Sequence, residues 1–165
     1  MKSSQVSLAL ITLTLAMAFT SPALGQSTNS SDTSLYWFQQ GLSLYNMDKY
    51  EESLNAYEKA LQLDPNDFEA WNNKGIDLGL LGRYDEALTA FNNAVALNDS
   101  YAEAWYNMGV IYDFKGSTYT AAQAYKKATQ INPSYQKAWV MRNVATDTIM
   151  SRSLSCACSD QIALV

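Results

Sequence analysis

The sequence predicts an all-α protein, an α-solenoid of three tandem helix–turn–helix units closed by a C-terminal capping helix. Three observations carry that expectation. Trp occurs only at positions 37, 71, 105 and 139, each 34 residues after the last. Gly41, Gly75 and Gly109 follow the first three Trp by four positions. No stretch keeps the period-two alternation of a half-buried strand. A fixed period of roughly 20–50 residues marks a repeat architecture, in which each unit buries its apolar face only against its neighbours.

The other ladders run at the same period. Tyr57, Phe91 and Tyr125 form one, Ala60, Ala94 and Ala128 a second, and Leu63, Leu97 and Ile131 a third. Each unit reads as two helices. Trp37, Gly41 and Leu44 share one helical face, and Leu54, Tyr57, Ala60 and Leu61 share another. Asp48, Gly82 and Gly116 stand between the halves as turn or cap residues. The units span 34–67, 68–101 and 102–135, divided near 47, 82 and 116. Asn66 to Glu69 and Ser100 to Glu103 read as capping boxes opening the second and third units. Pro65 and Pro133 lie where a helix has already stopped.

Packing follows from the same ladders. Gly41 should let the partner helix approach at Ala60, with Gly75 and Ala94, and Gly109 and Ala128, repeating the contact. The ladder aromatics should fill the space between adjacent units. Residues 136–150 begin like a fourth unit, with Trp139, but Asn143 replaces the Gly. They are expected to form the cap that a terminal repeat needs. Residues 151–165 show no pattern and are expected to be unstructured.

The first 25 residues read as a signal peptide. Met1-Lys2 precedes an apolar run from Val6 to Phe19, then Pro22 and the small residues Ala23 and Gly25. That layout predicts cleavage after Gly25 and a secreted or extracytoplasmic protein. The alternative is an uncleaved anchor, the one route by which a membrane becomes a partner. Residues 26–33 are small and polar, and read as a flexible leader.

Composition excludes several functions. The formal charge is −5, which disfavours nucleic acid as a partner, since phosphate binding needs Lys and Arg. There is no His, so the commonest general base and metal ligand are both missing. The acid pairs Glu51/Glu52 and Asp85/Glu86 fall in first helical turns, where the helix dipole favours them. Cys156 and Cys158, the two cysteines, are too few for a disulfide scaffold or a four-ligand metal site. No cofactor, metal or catalytic residue is expected, and no enzymatic activity. Asn29 and Asn98 head glycosylation triplets.

The landmarks Trp71, Gly75, Ala87, Phe91 and Ala94 resemble the tetratricopeptide repeat, and the resemblance extends over residues 34 to about 150. It implies a right-handed α-solenoid whose first helices line a concave groove. Carried onto this chain, the groove positions are Leu35, Phe38, Leu42 and Tyr45 in the first unit. In the second they are Glu69, Asn72, Ile76 and Gly79, with Asn73 beside them. In the third they are Glu103, Tyr106, Val110 and Asp113, with Asn107 beside them, and the cap adds Lys137 and Val140. The function implied is binding of a protein or peptide segment, as a scaffold or assembly factor. End-to-end self-association is the alternative. Some members of the family hold an acidic C-terminal tail with a Lys/Asn/Asn/Lys/Arg clamp. Here Phe38, Leu42, Glu103 and Asn107 stand at clamp positions and only Asn73 matches, so such a tail is a poor ligand. Ser53, where Ala is usual, and Thr118, where an aromatic is usual, suggest looser local packing.

Overall fold

The computed structural model describes the backbone of residues 33–162 and side chains as far as Ser151. The signal segment, the leader up to residue 32, Asn29 and the two cysteine side chains lie outside the described residues. The elements are α1 (Ser34–Tyr45), α2 (Tyr50–Leu63), α3 (Phe68–Leu80), α4 (Tyr84–Leu97), α5 (Ala102–Phe114), α6 (Thr118–Ile131) and α7 (Gln136–Ile162). Among the described residues every regular element is a helix. Successive helices pack as antiparallel hairpins, α1 on α2, α3 on α4, α5 on α6, and each hairpin packs on the next. This is an α-solenoid.

Within each hairpin one residue takes the left-handed backbone conformation. Asp48 has φ 58°, Gly82 φ 75° and Gly116 φ 74°. That turn lets the following N–H reach back five residues. Lys49 donates to the Leu44 carbonyl, Arg83 to Leu78 and Ser117 to Tyr112. These bonds satisfy carbonyls the helix end leaves unpaired. Glycine takes this conformation without steric cost, and Asp is one of the few other residues that tolerate it.

The helix starts differ from the expected capping boxes. The Asp67 carboxylate, not Asn66, accepts from the Ala70 N–H at 2.9 Å and opens α3. Tyr101 precedes α5 without a side-chain cap. Ser100 instead donates its hydroxyl to Asp99 and its N–H to Asn98. Thr33, expected in the leader, caps α1 by accepting from the Tyr36 N–H.

The glycine ladder meets a different partner from the expected one. A Cβ on Gly75 would lie 2.6 Å from the Phe91 ring, and one on Gly41 would lie 2.5 Å from the Tyr57 ring. Gly109 faces the Tyr125 ring in the same way. Glycine therefore makes room for an aromatic ring of its own unit, while Ala60, Ala94 and Ala128 are buried elsewhere along the second helices. The rings also reach beyond their unit. Phe91 lies in one core with Leu54, Leu78, Met108 and Ile111, which come from all three hairpins.

Tryptophan has a second task. The Trp71 indole N–H donates to the Pro65 carbonyl at 2.9 Å, and Trp105 to the Asp99 carbonyl at 3.2 Å. Positions 65 and 99 are equivalent in the repeat. A backbone carbonyl is the acceptor, so the change from Pro to Asp leaves the bond intact.

Ser53 does not loosen the first unit. It is wholly buried, and its hydroxyl donates to the Gly41 carbonyl at 2.9 Å. At the far end α7 covers α6. Ala145 joins Ala121, Ala122 and Tyr125 in a second core, with Met141 and Ile149 against it. The helix does not stop at 150 as expected; its backbone runs to Ile162. No Pro or Gly occurs between Pro133 and the end of the chain, so the sequence holds no strong stop signal.

Candidate functional site

The first helices of all three hairpins meet around one hollow. Leu42 and Tyr45 of α1, Asn73 and Ile76 of α3, and Glu103 of α5 line a cavity of about 200 Å³. A surface touched by α1, α3 and α5 together lies on the inner side of the stack. Ile76 also lines a second, larger slot of about 320 Å³, bounded by Gly79, Leu80, Tyr84, Asn107, Val110 and Phe114. Tyr84 and Phe114 stack with their ring centroids 5.8 Å apart and nearly parallel, forming one wall.

The expected groove residues divide by environment. Leu42, Tyr45, Asn73, Ile76, Glu103, Asn107, Val110 and Gly79 line the two cavities. Leu35, Glu69, Lys137 and Val140 are exposed. Phe38 packs against the Tyr57 ring, and Tyr106 against Tyr125 and Tyr135. Asn72, expected on the groove surface, is 1 % exposed and accepts from the Asn107 amide at 3.0 Å. It joins α3 to α5 from inside and is closed to a ligand. The Asp113 carboxylate accepts from the Tyr125 hydroxyl at 2.7 Å.

Leu80, Tyr84 and Phe114 were not among the expected site residues. Leu80 and Phe114 are again 34 positions apart, one place beyond the last expected groove position. Both are large, apolar and more than half exposed. An apolar residue recurring at an exposed helix end was the available signal.

The acids of this face stand close to aromatic hydroxyls. Burial pushes the Tyr101 hydroxyl well above its ordinary range, and Glu103 and Glu69 push it further. Tyr135 is raised to about 12, first by burial and then by Glu103 and Tyr106. Burial also raises Tyr125, reinforced by its bond to Asp113. These phenols stay neutral throughout the physiological range, and Tyr101 and Tyr125 donate to Glu103 and Asp113.

One carboxylate lies beneath the groove instead of on it. Asp77 is completely buried, and neither of its oxygens has a hydrogen-bond partner. Burial raises its pKa to about 6, opposed by the neighbouring Ser53 hydroxyl. That hydroxyl has a single proton, and the Gly41 carbonyl takes it. In the next joint of the solenoid the equivalent positions are Ala87 and Ile111, both apolar and both buried.

Profiles of the tetratricopeptide repeat match residues 34–67, 56–89, 80–113 and 102–135. The chain belongs to the tetratricopeptide repeat family. Solved structures agree on the fold. MamA superposes with a TM-score of 0.69 at 24 % identity, over 74 % of this chain and 72 % of its own. The first tetratricopeptide domain of Spaghetti (RPAP3), solved with the HSP90 peptide SRMEEVD, gives 0.69 at 22 % identity, covering 74 % of this chain and 96 % of its own. YrrB, a tetratricopeptide protein described as having an unusual peptide-binding site, gives 0.64 at 28 % identity. That match covers 67 % of this chain and 57 % of YrrB. No curated protein matches the sequence. Tetratricopeptide arrays are interaction scaffolds, and the site found here is a groove without a cluster of metal-binding groups among the described residues.

Proposed function

We propose that this tetratricopeptide protein is an exported interaction module that holds a peptide or protein segment in its inner groove, in a scaffold or assembly role. The observation that carries the proposal is a pair of cavities that share Ile76: α1, α3 and α5 all reach the smaller one, and the larger one is mainly apolar, with Asn73, Asn107 and Glu103 among their linings. Such a surface suits an extended segment whose side chains enter pockets while polar groups fix its register. The peptide carried by the Spaghetti domain and the peptide-binding site ascribed to YrrB support the reading. The test is capture of partners from the extracytoplasmic fraction by the wild-type chain and by a Leu42→Ala/Val110→Ala variant. Loss of a partner in the variant is expected; equal recovery counts against the groove. Leu42 and Val110 serve better than Phe38 or Tyr106, whose rings also hold the fold together.

Export rests on the apolar N-terminal run and the small residues before Gln26. N-terminal sequencing of the mature chain should begin at Gln26. Recovery of an intact Met1 would leave the anchor as the correct reading.

End-to-end association is the second reading, and α7 favours it. Trp139, Val140 and Val144 are each about half exposed on the last helix. An apolar row of this kind can receive another copy. A single monomeric mass across a concentration series in sedimentation would dismiss it.

A further inference from the structure

We infer that the groove selects a peptide segment carrying one bulky apolar side chain and, a few residues away, a Lys or Arg; this rests on the peptide-groove reading above. The apolar half of the preference comes from the lining of the slot. Gly79 stands where the first unit has Tyr45 and the third has Asp113. Gly79 brings the α3 backbone against Ile111, and the slot opens beside them. Its floor is apolar: a Cβ on Gly79 would lie 2.9 Å from the Ile111 Cδ1. Its sides are Ile76, Leu80, Val110 and Phe114, and its volume of about 320 Å³ is at the lower end of the range of about 300–1,000 Å³ typical of ligand pockets. That space fits one large side chain better than a whole small molecule.

The basic half comes from charge complementarity. Glu103 lines the adjoining hollow with its carboxylate exposed, and its one contact is a long 3.3 Å bond from the Tyr101 hydroxyl. Glu69 lies near enough to act on the same hydroxyl. Lys137 stands one repeat beyond Glu103, exposed on α7, while two other bases are held in ion pairs. Lys74 is paired with Glu58 at 2.9 Å, and Lys115 is paired with Asp85. The hollow lined by Glu103 thus places a carboxylate beside an apolar slot. Opposite charge there guides a cationic segment and rejects an acidic one.

The test uses the full mature chain and phage-displayed random dodecapeptides, with the selected sequences resynthesised and measured by fluorescence polarisation. Enrichment of an apolar residue spaced a few positions from Lys or Arg is expected. Phe114→Ala should weaken those peptides about tenfold. Glu103→Lys should reverse the preference, so that Glu-substituted peptides bind better than the Lys originals. Both side chains are exposed, and unchanged circular dichroism will show that the fold persists. Selected peptides that are acidic, or that bind equally well to both variants while losing affinity to Asn73→Ala, overturn this inference and leave the groove reading standing. Failure of any peptide to enrich overturns both.

Discussion

The Phe91 ring occupies the space that a side chain on Gly75 would need, with a Cβ there only 2.6 Å from the ring. The two positions are sixteen residues apart, and the same relationship joins Gly41 to Tyr57 and Gly109 to Tyr125. The repeat is therefore built on a ring seated in a notch.

That relationship predicts a specific non-additivity. Phe91 is 1 % exposed and its ring lies among side chains from three hairpins, so it cannot swing away. Gly75→Ala should cost about 1–3 kcal/mol by overpacking. Phe91→Ala should cost about 3–5 kcal/mol by leaving a cavity. The double variant should lose less than the sum, because the added methyl enters the vacated space. Urea denaturation of the four proteins measures the coupling; strict additivity would refute the notch.

The ladders made most of the fold legible in the sequence. Trp37, Trp71, Trp105 and Trp139 needed only counting, because a stacked repeat must present the same group at each joint. The partner of each Gly was harder. Two helices known from periodicity still have an unknown rotation about their axes, so Gly75 could equally have faced Ala94. Asp77 left no trace at all, because it belongs to no ladder and looks like any other acid. The slot was hidden for a different reason, since Leu80, Tyr84 and Phe114 wall it. Leu80 and Phe114 recur at one period, but they sit just past the positions a tetratricopeptide groove is expected to use. Pattern located the fold, whereas the site depends on departures from pattern.

Asp77 should make stability depend on pH. Its folded-state pKa is about 6, above the ordinary 3.8. Between those values the folded chain keeps a proton that the unfolded chain releases. Stability from this group therefore falls as pH rises from about 4 to 6, and stays low above that. Two units correspond to about 3 kcal/mol. Asp77→Asn should flatten this segment of the profile and raise stability at pH 7, with little gain at pH 4. Denaturant midpoints for both proteins at pH 4.5, 5.5 and 7 check it; parallel profiles would show that Asp77 is not the titrating group.

The left-handed turn positions give a pair of opposite effects. Nothing lies within 4 Å of a Cβ built on Gly82, so Gly82→Ala meets no neighbour and suffers only from its backbone. The cost should be about 1–2 kcal/mol. Asp48→Gly relieves the same strain but surrenders the 2.7 Å bond from the Tyr50 hydroxyl. The net gain should be about 0.5 kcal/mol, since an exposed hydrogen bond offsets part of the relief. Thermal melts of the two variants should move in opposite directions.

The cap on α6 should depend on α7 beyond its first turn. Ala145 is 3 % exposed against Ala121, Ala122 and Tyr125. Ala145→Glu places a charge in that contact and should destabilise the chain by at least about 2 kcal/mol. Protease sensitivity should then appear first in α6 and α7, with α1 to α4 protected longest, because each hairpin depends only on its neighbours. Simultaneous cleavage throughout the chain would show that the stack melts as one unit.

The inner groove itself is tested most directly by recording amide chemical shifts of the isotope-labelled mature chain while a selected peptide is added. Asn73, Ile76, Gly79, Glu103 and Val110 should shift together and saturate at one peptide equivalent, while Lys59, Thr89 and Lys127 on the second helices stay in place. Shifts confined to those second helices or to α7, with Ile76 and Val110 unmoved, would contradict the account.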